Sequence, residues 1–393
     1  MTGRPLRRYS PQSNRRFPPF RLSAADGSVL TAVSLLAAIG LVAVYSITAP
    51  RAAAGQPSQF TRHIVSIVAG LILLVAVTRV PLALWKKLAL PLWCASVLVL
   101  AATLIVGIEV NGARRWVGWH ANRFQPAEVA KFATVLAAAA FFSEGHSRRA
   151  RLRPLVGTAA ICLPPVALLL GQPDFGSSLV ICAVVGFQLF IAGAPIRQLG
   201  FGLLAGVLGT GAYIAMRPYA LARWTGFLDP WATANREGFQ LVQSFVAFGR
   251  GGNFGVPLGD GRQKLFYLPE AHTDFILSGI AEEAGLLGVL VVLAAFASFI
   301  AAGTRIAMRT RDSFATQMAF GMTALVGLPA AINAGVVMGL LPTTGFTLPF
   351  ISYGANSMVM CAITVGLLLR ISACEAAPQV VRISGAARRG SIS

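Results

Sequence analysis

The stretch Arg262-Gln263-Lys264-Leu265-Phe266-Tyr267-Leu268-Pro269-Glu270-Ala271-His272-Thr273-Asp274-Phe275 lies between two long apolar segments in a chain that is otherwise oily. It is polar and dense in ionisable groups. Directly after it, an apolar helix candidate carries two adjacent acids, Glu282 and Glu283. Carboxylates are costly at membrane depth and tend to mark function there. A solvated loop in which Asp274 merely caps the next helix would account for one acid but not for the two below it.

Composition supports lipid as the solvent. Of 393 residues, 55% are hydrophobic and only 12% charged, with a mean hydropathy of +0.69. A soluble domain carries about 25% charged residues. Forty glycines suit closely packed transmembrane helices. The net charge of +19 does not point to nucleic acid, because the basic residues fall in short runs between apolar segments and form no basic domain. The five cysteines, Cys94, Cys162, Cys182, Cys361 and Cys374, show no CxxC or Cys/His metal spacing and read as small buried hydrophobes.

Spanning a bilayer takes ~20 apolar residues. Ten segments qualify: 26–48, 63–79, 84–108, 125–143, 154–171, 175–193, 196–216, 274–302, 315–340 and 354–372. The fold class expected is all-α, a polytopic integral membrane protein of about ten transmembrane helices, with a large outer loop between the seventh and eighth. Residues 1–24 form a basic cytoplasmic tail that lacks a signal-peptide cleavage site, 25–372 the transmembrane domain with the loop 217–273, and 373–393 a second basic tail. With the N-terminus inside, the cytoplasmic stretches hold 21 Lys and Arg and the outer loops 11, which puts both termini in the cytoplasm. Nine of those 11 lie in only two loops, 109–124 and 217–273. A topology signal would not concentrate cations there; an anionic ligand at the outer surface would. The loop 217–273 is too long for a plain connector, and 239–248 has the mixed polarity of a short interfacial helix closed by the glycines that follow.

All the unusual polar stretches fall on that outer side. In Phe124-Gln125-Pro126-Ala127-Glu128-Val129-Ala130-Lys131, Pro126 suits a first helical turn, so Glu128 and Lys131 share one helix face at i,i+3. They form either a self-compensating ion pair or a cation held at the mouth of a cavity facing Asp274. Arg114 and Arg115 suit phosphate, and Trp116 suits a sugar face or an interfacial anchor. Asp174, after Pro173, is a helix cap or a site residue. Glu282 and Glu283 point ~100° apart, so both avoid lipid only if protein or a wet cavity wraps their helix. His272 reads as a loop hydrogen-bonding residue rather than a base.

Six motifs occur in order: Asn111-Gly112-Ala113-Arg114-Arg115-Trp116, Phe124 to Lys131, Gln172-Pro173-Asp174-Phe175-Gly176, Arg262 to Asp274, Ala281-Glu282-Glu283-Ala284-Gly285 and Leu348-Pro349-Phe350-Ile351-Ser352-Tyr353-Gly354. Together they closely resemble the SEDS family of bacterial membrane proteins over about residues 27–372, and within it the division branch rather than the elongation branch. The resemblance implies ten transmembrane helices and a peptidoglycan glycosyltransferase that polymerises lipid II into glycan strands at the outer leaflet of the inner membrane. It implies a class B penicillin-binding protein as transpeptidase partner, other divisome proteins, and a place at the septum. The family's essential aspartate falls on Asp274, its cavity pair on Glu128 and Lys131, its QPD aspartate on Asp174 and its tryptophan on Trp116. The substrate-contact set expected alongside them comprises Arg114, Arg115, Gln263, Lys264, Glu270, His272, Thr273, Glu282, Glu283 and Ser352. Thr344 stands where division members often carry Lys, Ala355-Asn356 replaces a usual Gly-Ser, and Leu277 replaces a common Phe.

The expected mechanism has Asp274 taking the proton from an acceptor 4-hydroxyl while Lys131, Arg114 and Arg115, with or without a divalent cation (Mg or Mn), stabilise the departing lipid diphosphate. Two rivals share the ligand or the setting: a lipid II flippase, and a non-catalytic division scaffold recruiting partners through its basic tails.

Overall fold

The computed structural model describes residues 26–53, 59–110, 113–119, 122–144, 153–257, 261 and 271–376. The chain begins with three long helices, α1 (Gly27–Ala53), α2 (Gln59–Arg79) and α3 (Leu82–Val106). A small sheet follows: β1 (Ile108–Val110), β2 (Ala113–Trp119) and β3 (Asn122–Phe124). Four more helices are α4 (Pro126–Ser143), α5 (Arg153–Gly171), α6 (Phe175–Ile191) and α7 (Ile196–Met216). The large loop contains α8 (Pro218–Leu228) and α9 (Phe239–Gly251), and the chain closes with α10 (Ile276–Arg309), α11 (Ser313–Val337) and α12 (Ala355–Ala376).

Among the described residues, nine helices are long and apolar enough to cross a bilayer, and α6 is a shorter apolar helix of 17 residues. Together they match the ten segments read from hydropathy, and the protein is an all-α integral membrane protein. Two ends move. Helix α10 continues to Arg309, seven residues past the expected 302, because Ile306 and Ala307 still bury against neighbours after the apolar run has ended. Arg305 in this extension pairs with Asp26 at 3.7 Å. Helix α12 runs on to Ala376, inside the stretch assigned to the second tail. The first tail and the remainder of the second lie outside the described residues.

Helices α4, α11 and α12 form the centre, with 72%, 72% and 67% of their apolar windows buried. Helix α7 has no buried residue and sits at the edge of the bundle, where Tyr213 stacks on Phe175 of α6 at 5.2 Å between ring centroids. Small residues let the backbones approach where no water-driven force joins helices. A Cβ on Gly366 of α12 would meet the Leu74 carbonyl of α2 at 2.8 Å, and one on Gly40 of α1 would meet Ile351 Cα and the Phe350 carbonyl at 2.7 Å. Helix α1 is thereby seated directly on the loop 349–352.

One element of the outer side corrects the sequence reading. The stretch 109–124 is not a plain loop: β1, β2 and β3 form an antiparallel sheet in that order, with Glu109 opposite Arg114 and Val117 opposite Phe124. The helix expected at 239–248 exists as α9, with Leu241, Val242, Ser244, Ala247 and Gly251 buried, and it packs on α10.

That packing accounts for the two adjacent acids. Gly285 breaks the regular path of α10, with φ 64° and ψ −164°. The N–H groups of Leu286 and Leu287 there donate to the carbonyls of Gly252 (2.9 Å) and Asn253 (3.2 Å) at the end of α9. Just before the break, Glu282 Oε1 pairs with Arg250 Nη1 at 3.0 Å, and Glu283 Oε1 accepts from Ser46 Oγ at 2.6 Å. Protein from α9 and α1 wraps both acids, so neither faces lipid.

The close approach at Gly40 sets a prediction. Gly40→Ala lowers the thermal midpoint of the detergent-purified protein by an amount equivalent to about 1–3 kcal/mol, because the methyl meets backbone that has nowhere to go. Gly186→Ala, whose Cβ would meet nothing within 4 Å, leaves the midpoint unchanged or raises it. Equal effects of the two substitutions would contradict this packing.

Candidate active site

A cavity of about 1630 Å³ opens among the N-terminal ends of α2, α4, α6 and α12, the sheet, α8 and the loops 271–275 and 343–354. Of the residues singled out from sequence, Asp274, Thr273, His272, Glu128, Lys131, Arg115, Trp116 and Asp174 line it. Arg114, Ser352, Glu282 and Glu283 are not among its lining residues. Gln263, Lys264 and Glu270 lie outside the described residues.

The lysine is placed by α4. Pro126 opens that helix, and one turn later Lys131 Nζ meets Glu128 Oε1 at 2.7 Å, the two side chains being 7% and 16% exposed. The Phe346 ring lies 6.0 Å from the same ammonium. Ion pair and cavity wall are therefore one arrangement: the carboxylate offsets a charge that burial alone would not tolerate.

Arg115 is largely committed to structure. Its Nε donates to the Gln172 carbonyl at 3.0 Å and its Nη2 to the Pro173 carbonyl, while Gln172 Nε2 donates to the Leu100 carbonyl at 3.0 Å. The guanidinium thus ties β2 to the turn before α6. Asp174 ends that turn as an N-cap, accepting from Ser177 N at 3.1 Å and Ser177 Oγ at 2.8 Å. Capping and cavity lining hold together for this residue. Arg114 instead pairs with Glu109 across the sheet at 3.5 Å, both side chains about half exposed.

Asp274 is not the cap of α10. The N-cap there is Phe275, with no side-chain capping bond. The loop holding Asp274 is instead fixed from outside. Tyr353 N donates to the His272 carbonyl at 2.9 Å, Ser352 Oγ to the Thr273 carbonyl at 2.6 Å, and Asn333 Nδ2 to the Asp274 carbonyl at 2.7 Å. Ser352 also accepts from Leu348 N at 2.8 Å, so it works behind the wall. Gly345, at φ 79°, lies against the acid: a Cβ there would be 3.5 Å from Asp274 Oδ2. The His272 ring packs on Tyr353 at 5.7 Å between centroids.

Five further cations line the cavity and carried no motif: Arg62, Arg123, Arg217, Arg223 and Arg236. Their only signal in the sequence was the surplus of basic residues in the outer loops. With Arg115 and Lys131 they make seven cations among the described residues, against four acids, Glu128, Asp174, Glu237 and Asp274. Among the described residues no three His, Cys, Asp or Glu are grouped to hold a metal ion. The chemistry below is written with the protein's own cations.

The arrangement offers a carboxylate on a loop tied to its neighbours beside an excess of positive charge in an open pocket. It suits a ligand that is anionic in one part and carries a hydroxyl to be deprotonated in another. Comparison with known proteins agrees with that setting. The chain is 39% identical over 362 residues to the probable peptidoglycan glycosyltransferase FtsW of Acinetobacter baylyi, covering 90% of each. It is 40% identical over 369 residues to the protein of that name from Legionella pneumophila, covering 89% of this chain and 91% of the other. Among solved structures it resembles a chain described under structural coordination of polymerization and crosslinking by a peptidoglycan synthase complex, with a TM-score of 0.75, 32% identity, and 89% and 98% coverage. It also resembles the rod shape determining protein RodA of Thermus thermophilus, with a TM-score of 0.67, 29% identity, and 89% and 97% coverage. The FtsW/RodA/SpoVE family, described as cell cycle proteins, matches residues 27–377, and the chain belongs to it.

Proposed function

We infer that the chain is a peptidoglycan glycosyltransferase that polymerises lipid II at the outer face of the cytoplasmic membrane. The observation that carries this reading is Asp274, on a loop held by three backbone ties at residues 272–274, at the edge of a cavity with seven cations and four acids among the described residues. A sugar joined to a polyprenyl diphosphate has the matching chemistry: a hydroxyl-rich body, a strongly anionic link and a greasy tail for the lipid-facing helices.

In this reaction the acceptor 4-hydroxyl attacks the anomeric carbon of the donor. The new C–O bond forms as the bond to the diphosphate breaks, and the leaving electron pair goes to a phosphate oxygen. Asp274 takes the hydroxyl proton. Lys131 and the lining arginines stabilise the charge that develops on the diphosphate, in a site where fixed cations need no reorganisation. The electrostatic role first assigned to Arg114 passes to these residues, since Arg114 pairs with Glu109 outside the cavity wall. Arg115 acts by holding the turn before Asp174. Trp116 offers its face to a sugar ring.

Three finer features belong to the same proposal. Both termini lie in the cytoplasm, as the distribution of basic residues favours. The protein works at the division septum, which its similarity to the FtsW proteins supports. Its partner is a class B penicillin-binding protein that crosslinks the strands, in keeping with the related chain described within a synthase complex.

Asp274→Asn keeps the size of the side chain and removes the base. Polymerisation of purified lipid II should fall by about 10²–10⁴-fold, with lipid II binding retained; a rate equal to wild type would refute the assignment. For Lys131→Met the loss should be about 10²-fold or more, mainly in kcat, because the cation acts on charge that appears in the transition state. If that variant instead raised KM alone, Lys131 would be a ground-state contact only.

A further inference from the structure

A second, much smaller compartment adjoins Asp274 and shares the 343–346 segment with the main cavity. It has a volume of about 10 Å³ and is lined by Asp274, Arg223, Gln240, Asn333, Thr344 and Gly345 among others. That is about the space a single water occupies. Two polar atoms of its walls are buried without a hydrogen-bond partner: Asn333 Oδ1 and Thr344 Oγ1. Asn333 is 2% exposed and lies on α11. Its Nδ2 is already used twice, donating to the Asp274 carbonyl at 2.7 Å and to the Phe346 carbonyl at 2.6 Å. Two carbonyls fix which end of the amide is nitrogen, so the oxygen is the atom left over.

We propose that this compartment binds one structural water that links Asn333 Oδ1 and Thr344 Oγ1 to the carboxylate of Asp274, making Asn333 and Thr344 positioning residues for the base. The water donates one hydrogen to Asn333 Oδ1 and the other to Asp274, and accepts from the Thr344 hydroxyl. Three bonds is the usual complement for a buried water. The carboxylate oxygen that faces Gly345, Oδ2, is the one it engages. Asn333 then controls the acid twice, through its backbone carbonyl and through the water. The same residue binds the Phe346 carbonyl, so the Asp274 loop and the 343–347 segment share one anchor on α11. Thr344 supplies a hydroxyl of a size that leaves room for the water.

The inference rests on Asp274 being the base, and the test separates the two. Full-length wild type, Asn333→Ala, Thr344→Val, Thr344→Ser and the Asn333→Ala/Thr344→Val double variant are assayed for strand synthesis from lipid II, with Asp274→Asn alongside. Expected are a loss in kcat of about tenfold or more for Asn333→Ala and about threefold to tenfold for Thr344→Val, with KM within about twofold. Thr344→Ser restores the wild-type rate. The double variant is no slower than Asn333→Ala alone, because one shared water can be lost only once. Thr344→Val is isosteric and keeps the thermal midpoint, so it remains informative if Asn333→Ala fails to fold. An inactive Asp274→Asn together with an unaffected Thr344→Val, or multiplicative losses in the double variant, would overturn the water site while leaving the base in place. An active Asp274→Asn would instead remove the reading on which the site depends.

Discussion

Three consecutive carbonyls, those of His272, Thr273 and Asp274, each receive a hydrogen bond from outside their own loop. The donors come from Tyr353 and Ser352 on one loop and from Asn333 within α11. Without them, a segment with no regular structure would carry the chemically active carboxylate at the mouth of a wide cavity. Ordering one residue's backbone costs roughly 1–2 kcal/mol, and each bond returns about 1 kcal/mol net. Three bonds on three successive residues therefore match the ordering cost in scale. The rest of the architecture serves the clasp. Helix α1 abuts the loop 349–352 at Gly40, and central α11 supplies the anchor, so the site loops are built onto the most buried part of the bundle.

Around that fixed acid the electrostatics are lopsided. The N-terminal ends of α2, α4, α6 and α12 converge on the cavity, and each contributes partial positive charge from its unpaired N–H groups. Lys131 and the arginines add whole charges of the same sign. Glu128 neutralises the one cation that is deeply buried, and Asp174 is turned toward its own helix by Ser177. What remains is a surface that attracts an anion, with Glu237 exposed and Asp274 on its tied loop as the acids that a neutral hydroxyl can meet. A diphosphate and a sugar hydroxyl on the same substrate satisfy both halves.

Much of this was legible in the residues. Hydropathy located the ten helices because each needs a long apolar run to satisfy its backbone in lipid. The i,i+3 spacing of Glu128 and Lys131 gave their pairing, and the Gly-rich end of 239–252 gave α9. The sheet at 108–124 was not legible, since its strands of three, seven and three residues are too short for alternation to register and one is dense in arginine. Helix α10 outran its apolar stretch because tertiary contacts, not composition, carried its last turns. Arg62, Arg123, Arg217, Arg223 and Arg236 escaped notice individually, for an arginine at a helix end or in a loop looks the same whether it faces water or a cavity. Glu282 and Glu283 were recognised as unusual, but their partners, Arg250 and Ser46, come from distant elements that no local spacing connects. Pairing across the fold made these acids a joint between α9, α1 and the break in α10, away from the cavity wall.

The central claim is one of placement: a diphosphate among the cavity's cations and a sugar hydroxyl at Asp274. Its most direct test is an experimental structure of the protein bound to lipid II, using the inactive Asp274→Asn variant to hold the substrate unreacted. The account predicts the diphosphate within contact of Lys131 and the lining arginines, and an acceptor 4-hydroxyl within about 2.6–3.2 Å of the residue 274 side chain. A diphosphate seated outside this cavity, or an acceptor hydroxyl directed at a different carboxylate, would contradict it.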